Sequence, residues 1–236
     1  MTKRIWELDT LRGICILGMV ILHLLYDFGS LGFEISSRLI HFVGYWGGTV
    51  FVLLSGICVT LGKNHICRGL TVFACGMICT AVTTGIYLLG LAEKGIIIYF
   101  GVLHCLGTSM LLWSILRRCP NWLLAVQGVS FCIAGLCLER TVLVDFPWLI
   151  PFGFLYPGFS SSDYFPLFPN LGYFLFGAIL GRTLYQKKET LFPQLDPHAF
   201  PFHFLCQCGR HSLSIYLLHQ PLITGILTLL TIRSDT

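Results

Sequence analysis

Three residues near the start of the chain combine side-chain types and spacing that suit proton transfer. Arg12, His23 and Asp27 interrupt an otherwise apolar stretch, in steps of eleven and four residues. At about 100° per residue, these steps place all three side chains on nearly the same face of a helix. A histidine supported by a carboxylate can act as a general base, and an arginine can bind phosphate. Because ionisable groups are costly at membrane depth, this face is the leading candidate for a functional site.

Two further histidines fall inside apolar segments, His104 in YFGVLHCLG and His219 in SLSIYLLHQP. Counted from the ends of their predicted helices, these two and His23 lie at a depth of about 12 to 16 Å in a hydrocarbon core about 30 Å thick. Three histidines at one depth favour a polar cluster, in which Asp27 supports either His23 or a histidine of another helix. Three histidines can also bind a metal, but nothing in the sequence shows that their rings converge, and no metal is expected.

The composition predicts an all-α, polytopic membrane protein with a single domain over residues 1–236. Of its 236 residues 55% are hydrophobic and 11% are charged, and the mean hydropathy is +0.78. A soluble domain of this length has a charged fraction of roughly a quarter. The basic residues stand at the ends of apolar segments and form no patch, so a nucleic-acid partner is not expected. The 11 cysteines lie mostly inside apolar segments, where cysteine behaves as a small hydrophobe.

About seven spans are predicted, and the basic residues predict their orientation. The first apolar run lacks a small-residue cleavage site, which indicates a retained helix rather than a signal peptide. With a cytoplasmic N-terminus, eleven of the 15 basic residues fall on the inner side and four on the outer side, as expected for a multi-pass protein of the cytoplasmic membrane. The predicted spans are residues 12–30, 39–62, 69–91, 96–116, 121–138, 167–185 and 211–232.

Two segments do not read as spans. Residues 139–166 are rich in proline, glycine and aromatic residues and are expected to fold over the outer side of the bundle. Residues 186–209 are expected to form a cytoplasmic loop, with phenylalanines that can rest on the membrane surface. Glycines within the helices, including a GxxxG pattern at Gly177 and Gly181, predict close helix packing.

Several of these motifs together resemble one family. Arg12 and His23, with ten residues between them, resemble the R-X10-H pattern of the membrane acyltransferase-3 superfamily. The opening RIWELDTLRGICILGMVILHLLYDFG is similar to that of the bacterial heparan-alpha-glucosaminide N-acetyltransferase catalytic-domain family. The stretches YFGVLHCLG, DYFPLFPNLGYFLFGAILG and SLSIYLLHQP extend the resemblance to the last helix.

The resemblance implies an integral membrane acyltransferase that moves an acyl group, typically acetyl, from cytoplasmic acetyl-CoA to an amine or hydroxyl of a sugar. It places His23 as the catalytic histidine and Arg12 on the donor side, with His41 as an alternative catalytic histidine. A glycan or another sugar-containing molecule is the implied acceptor. The competing interpretation is a small transporter or proton-coupled carrier that uses the same histidines. Such a protein is expected to show internal symmetry between the two halves of its sequence, and this sequence does not show it.

Overall fold

The computed structural model describes residues 5–30, 37–141 and 146–234, and these are helical apart from turns and one isolated bridge. A 3₁₀ turn covers Lys94–Ile96 and a longer one covers Pro147–Phe152. The α-helices are α1 (Trp6–Ser30), α2 (Ser37–Leu61), α3 (His65–Leu88), α4 (Val102–Leu116), α5 (Asn121–Thr141), α6 (Leu167–Leu184), α7 (Phe202–Arg210) and α8 (Ser212–Ser234).

The all-α prediction is confirmed, and each of the seven predicted spans overlaps an α-helix, although α4 begins only at Val102, six residues after the predicted start of its span. Four stretches within the described residues are long and apolar enough to cross a membrane: Trp6–Asp27, Gly44–Leu61, His65–Leu88 and Asn121–Leu138. Val102–Leu116 is a shorter apolar helix. The chain is therefore a membrane protein, while the number of spans and the orientation of the N-terminus stay predictions.

The helices form two compact units. The terminal unit comprises Met1–Phe51 and Lys188–Thr236, and the central unit comprises Val52–Lys187. The boundary falls within α2, and the two ends of the chain share one unit. This division does not test the predicted single domain.

In the terminal unit, α1 packs antiparallel against the short helix α7 at two glycines. A Cβ atom on Gly13 would meet the carbonyl of Leu205, and one on Gly209 would meet the carbonyl of Asp9. The absence of side chains at both positions therefore lets the two backbones touch. Trp6 adds an edge-on contact with the ring of Phe202, at a centroid distance of 5.3 Å.

Helix α7 corrects the prediction of a loop over residues 186–209 in its last part, because residues 202–209 are helical. The helix has only nine residues and follows several prolines, so its sequence is too short to show a clear helical periodicity. Packing on α1 stabilises α7. The chain before α7 is held separately by Glu7, whose carboxylate accepts hydrogen bonds from the Thr190 hydroxyl and the Leu191 amide, both at 2.8 Å. Glu7 is buried, so these two bonds fix the start of the 188–201 segment against the first turn of α1.

In the central unit, small residues again set the helix contacts. A Cβ on Gly56 would meet the carbonyl of Phe174, and one on Gly177 would meet that of Leu53, so α2 and α6 pack through backbone. The GxxxG pattern thus takes part in helix packing, as predicted. Arg182 of α6 donates to the carbonyl of Cys119 at 2.8 Å, beyond the end of α4. Arg182 therefore pairs with a backbone carbonyl that lies just after the end of α4 and has no partner within the helix.

Candidate functional site

Helices α1 and α8 meet along three polar pairs in the terminal unit. Arg12 pairs with Ser212, His23 with His219, and Asp27 with Gln220. Residue numbers increase in the same order on both helices, so the helices run in the same direction. The face of α1 picked out by the sequence therefore lies against a matching polar face of α8, and we call these six residues the α1–α8 ladder.

At the first rung, the Arg12 guanidinium donates from Nη2 to the Oγ of Ser212 at 3.1 Å. Ser212 is buried and is the first residue of α8. The Arg12 Nε is also buried and has no hydrogen-bond partner among the residues that the structure describes. A cationic fork beside the positive end of a helix is an arrangement that suits a phosphate group.

At the middle rung, the rings of His23 and His219 lie 4.9 Å apart between centroids, inclined at 57°. Nδ1 of His219 lies 2.6 Å from the carbonyl oxygen of Tyr216. Because a carbonyl oxygen only accepts, Nδ1 carries the proton, and Nε2 of the neutral ring then has the lone pair. The sequence predicted that these two histidines share a site, and the structure brings them together.

At the third rung, the Nε2 amide nitrogen of Gln220 donates to Oδ2 of Asp27 at 3.2 Å. Asp27 follows His23 by one helical turn and interacts with it electrostatically. The carboxylate therefore has near it both the Gln220 amide of α8 and the His23 imidazole of its own helix.

His104 belongs to the central unit and has a different environment. Its Nδ1 accepts the amide N–H of Gly101 at 3.2 Å. Its Nε2 lies 3.3 Å from the hydroxyl oxygen of Thr80, whose own proton goes to the carbonyl of Ile98 at 2.6 Å. Both ring nitrogens are thus used, and the ring is only 2% exposed. These bonds alone account for a buried neutral histidine at the start of α4, and its catalytic role stays a prediction.

The motifs YFGVLHCLG and DYFPLFPN, which lie far apart in sequence, meet at this point. Oδ2 of Asp163 accepts the amide N–H of Val102 at 3.0 Å, and the amide of Phe165 donates to the carbonyl of Phe100 at 2.9 Å. Asp163 thus satisfies a free N–H of the first turn of α4. The 160–165 segment is therefore fastened to the residues that lead into α4.

An open cavity of about 740 Å³ lies beside this segment, in the central unit. Trp148 is 81% exposed there, and the Lys94 ammonium lies 5.8 Å from the centre of the Tyr156 ring. Aromatic faces with a cation suit a polar ring that carries an apolar face, such as a sugar. The cavity is lined by Lys94, Tyr99, Trp148, Ile150, Pro151 and Tyr156, among others.

Two further expectations from the sequence concern His41 and a metal ion. The backbone of His41 lies in α2, but its side chain is outside the described part of the structure. Within the described residues, no group of three or more histidine, cysteine, aspartate or glutamate side chains is arranged to hold a metal ion.

Comparison with known families gives one match. The family described as "Heparan-alpha-glucosaminide N-acetyltransferase, catalytic" matches residues 4–221. The chain belongs to this family. No curated protein and no solved structure matched it. The matched range contains every residue of the α1–α8 ladder and also His104.

Membership of the heparan-alpha-glucosaminide N-acetyltransferase catalytic family indicates a membrane acetyltransferase, and enzymes of the family generally use acetyl-CoA as a cosubstrate. The sequence-based assignment to the family is confirmed, whereas membership of the acyltransferase-3 superfamily and a bacterial origin stay predictions.

Sequence reasoning missed Ser212 and Gln220. Both lie within SLSIYLLHQP, but neither side chain ionises, so neither stands out at membrane depth. The signal that could have found them is the helical spacing of Ser212, His219 and Gln220, in steps of seven and one, which places them on one side of α8.

Proposed function

We propose that the protein transfers an acetyl group from acetyl-CoA to an amine or hydroxyl of a sugar, and that the α1–α8 ladder carries the reaction. The observation that carries this proposal is the pairing of His23 with His219 in a chain that is only 11% charged. The contact between α1 and α8 contains two histidines, a carboxylate, an amide and an arginine. Burying such groups in a membrane costs free energy, so their presence indicates a function.

The histidine pair acts as the base. Two imidazoles this close do not both carry a positive charge, so the pair holds at most one added proton. As the acceptor nitrogen or oxygen attacks the thioester carbonyl, its proton moves to the pair. The C–S bond then breaks, and the coenzyme thiolate takes that proton and leaves as a thiol. Asp27 stabilises the imidazolium that forms between the two transfers.

Arg12 binds the donor. Its guanidinium and the first turn of α8 hold a phosphate of acetyl-CoA, and this contact positions the thioester towards the histidine pair. In this arrangement Arg12 lies on the cytoplasmic side, as the distribution of basic residues predicts. In this scheme His104 supports the start of α4, and a role for it in catalysis stays a prediction.

The aromatic cavity of the central unit binds sugar. Trp148 offers a flat apolar face, and Lys94 and the tyrosines offer polar contacts around it. On this basis the aromatic segment 145–168 is proposed to shape the entrance for the acceptor. Trp148→Ala is expected to raise KM for the sugar acceptor and to leave KM for acetyl-CoA unchanged.

The decisive experiment uses purified protein in liposomes with radiolabelled acetyl-CoA and a panel of glucosamine-terminated saccharides. We expect acetyl transfer by the wild type, with loss of transfer in His23→Ala and His219→Ala. His198→Ala is the matched control, because His198 is exposed and lies outside the ladder. Arg12→Gln is expected to raise KM for acetyl-CoA more than it lowers kcat.

Two outcomes would contradict the proposal. A wild type that binds no acetyl-CoA excludes the acyltransferase function, and proton or solute movement across the liposome in its place supports a carrier. Transfer that survives in both histidine variants removes the ladder from the reaction. Incubation without acceptor, followed by mass spectrometry of the protein, separates direct transfer from an acetyl-histidine intermediate.

A further inference from the structure

Gln220 has one half of its amide engaged and the other half buried. Its NH₂ group donates to Asp27, and this fixes the orientation of the amide because a carboxylate only accepts. Its Oε1 is buried and has no hydrogen-bond partner within the described part of the chain. The fixed NH₂ group therefore leaves an acceptor oxygen within the seam that holds the two histidines.

A buried amide oxygen without a donor is unfavourable, so each such group in a native protein calls for an explanation. The neighbouring side chain, His219, directs its Nδ1–H to the Tyr216 carbonyl, so that proton is not available to Gln220. A donor supplied by a bound molecule would complete the hydrogen bonding of this amide. The group that must come next to the histidine pair is the nucleophile of the acceptor.

We propose that Gln220 binds the nucleophile of the acceptor through Oε1 and thereby selects a primary amine over a hydroxyl. This inference rests on the proposed acetyl transfer. A neutral primary amine has two N–H groups and a lone pair. One N–H is donated to Gln220, the other gives its proton to the histidine pair, and the lone pair attacks the thioester carbon. A hydroxyl has a single proton and cannot serve Gln220 and the base together.

The specificity follows from unpaired polar groups rather than from pocket size. A site built to hydrogen-bond a substrate N–H discriminates strongly against an analogue that lacks it, because the protein group is left buried and unpaired. Gln220 is thus a binding residue with a second, positioning effect on Asp27. These two effects predict different kinetic results, so they can be separated.

The test compares glucosamine with glucose, which has a hydroxyl where glucosamine has its amine, with radiolabelled acetyl-CoA as donor. For the variant Gln220→Met, which has nearly the same length, we expect kcat/KM for glucosamine to fall by about 10- to 100-fold, the loss expected for one buried hydrogen bond. The rate with glucose and KM for acetyl-CoA should change far less. Gln127→Met is the matched control, since its Oε1 is also buried without a hydrogen-bond partner among the described residues, but in α5.

A second measurement compares a primary with a secondary amine, first in the wild type and then in Gln220→Met. N-Methylglucosamine is a secondary amine with one N–H, so the wild type is expected to use it at least tenfold less well than glucosamine. In Gln220→Met this difference should largely disappear, because the contact that the methyl group removes is already absent. This comparison is internal to each protein and does not depend on how much of it is folded.

The outcomes are distinguishable. If the wild type transfers acetyl groups but Gln220→Met loses glucosamine and glucose activity equally, Gln220 acts only through Asp27 and the inference is overturned. Equal use of glucosamine and N-methylglucosamine by the wild type overturns it as well. If the wild type transfers no acetyl group to any acceptor, the proposed function itself fails, and this inference fails with it.

Discussion

Substitution of His219 by asparagine and by glutamine separates its structural bond from its chemistry. The asparagine amide nitrogen occupies a position close to Nδ1, so His219→Asn can keep the bond to the Tyr216 carbonyl, which is 2.6 Å long in the wild type. It has no atom at the position of Nε2. Glutamine places a polar atom near Nε2 and lacks the donor at Nδ1. Neither amide is a base.

The expected sizes follow from these atoms. Loss of a general base lowers kcat by about 10²- to 10⁴-fold, which corresponds to roughly 3 to 5 kcal/mol of activation free energy. Both variants should show this loss. Only His219→Gln should also lose the Tyr216 bond, which costs about 1 kcal/mol of unfolding free energy and lowers Tm by roughly 2–4 °C in a chain of this size.

The assay is acetyl transfer measured beside thermal unfolding in the same detergent, with His198→Asn as a control at an exposed histidine. If His219→Asn keeps more than a tenth of the wild-type activity, Nε2 is not the base. If His219→Asn is the less stable of the two variants, the assignment of the proton to Nδ1 is wrong.

Three further predictions concern packing, pH and orientation. Gly13→Ala should destabilise the protein by about 1–3 kcal/mol because the new Cβ meets the Leu205 carbonyl. The control Gly18→Ala lies in the same helix with open space around it, and it should leave thermal unfolding unchanged. Burial raises the pKa of the Tyr164 phenol, so the unfolded chain loses this proton first, and stability should decline as the pH rises above about 10; Tyr164→Phe should flatten that decline in unfolding experiments between pH 8 and 11. A membrane-impermeant amine reagent applied to intact cells should modify Lys94 and spare Lys187, as mass spectrometry would show, and the reverse pattern would invert the predicted orientation.

Sequence reasoning predicted those parts of the site whose side chains are costly to bury in a membrane. Arg12, His23 and Asp27 are ionisable groups in an apolar helix, and their shared face follows from helical geometry alone. His219 was predicted for the same reason. Sequence reasoning grouped His23 with both His104 and His219. Which of the two would pair with His23 was not predictable, because contacts nearly 200 residues apart depend on packing that no local pattern encodes.

The predicted depth of a histidine in the membrane says less about its role than its hydrogen-bond partners do. His104 has the same predicted depth as His23 and His219, yet its two nitrogens are used by Gly101 and Thr80. The partners of a buried histidine are visible only once distant segments are placed. Helix α7 was missed for a related reason, since its stability comes from the contacts at Gly13 and Gly209 with α1 rather than from its own length.

The ladder has a consequence for the synthesis of the protein. Asp27 and Gln220 are 193 residues apart, so at about 5–20 residues per second roughly 10 to 40 seconds pass between the emergence of one and of the other from the ribosome. During that interval Arg12, His23 and Asp27 have no partners on α8. The first helix therefore stays without these contacts until α8 has been synthesised, and the proposed active site is assembled only after that point.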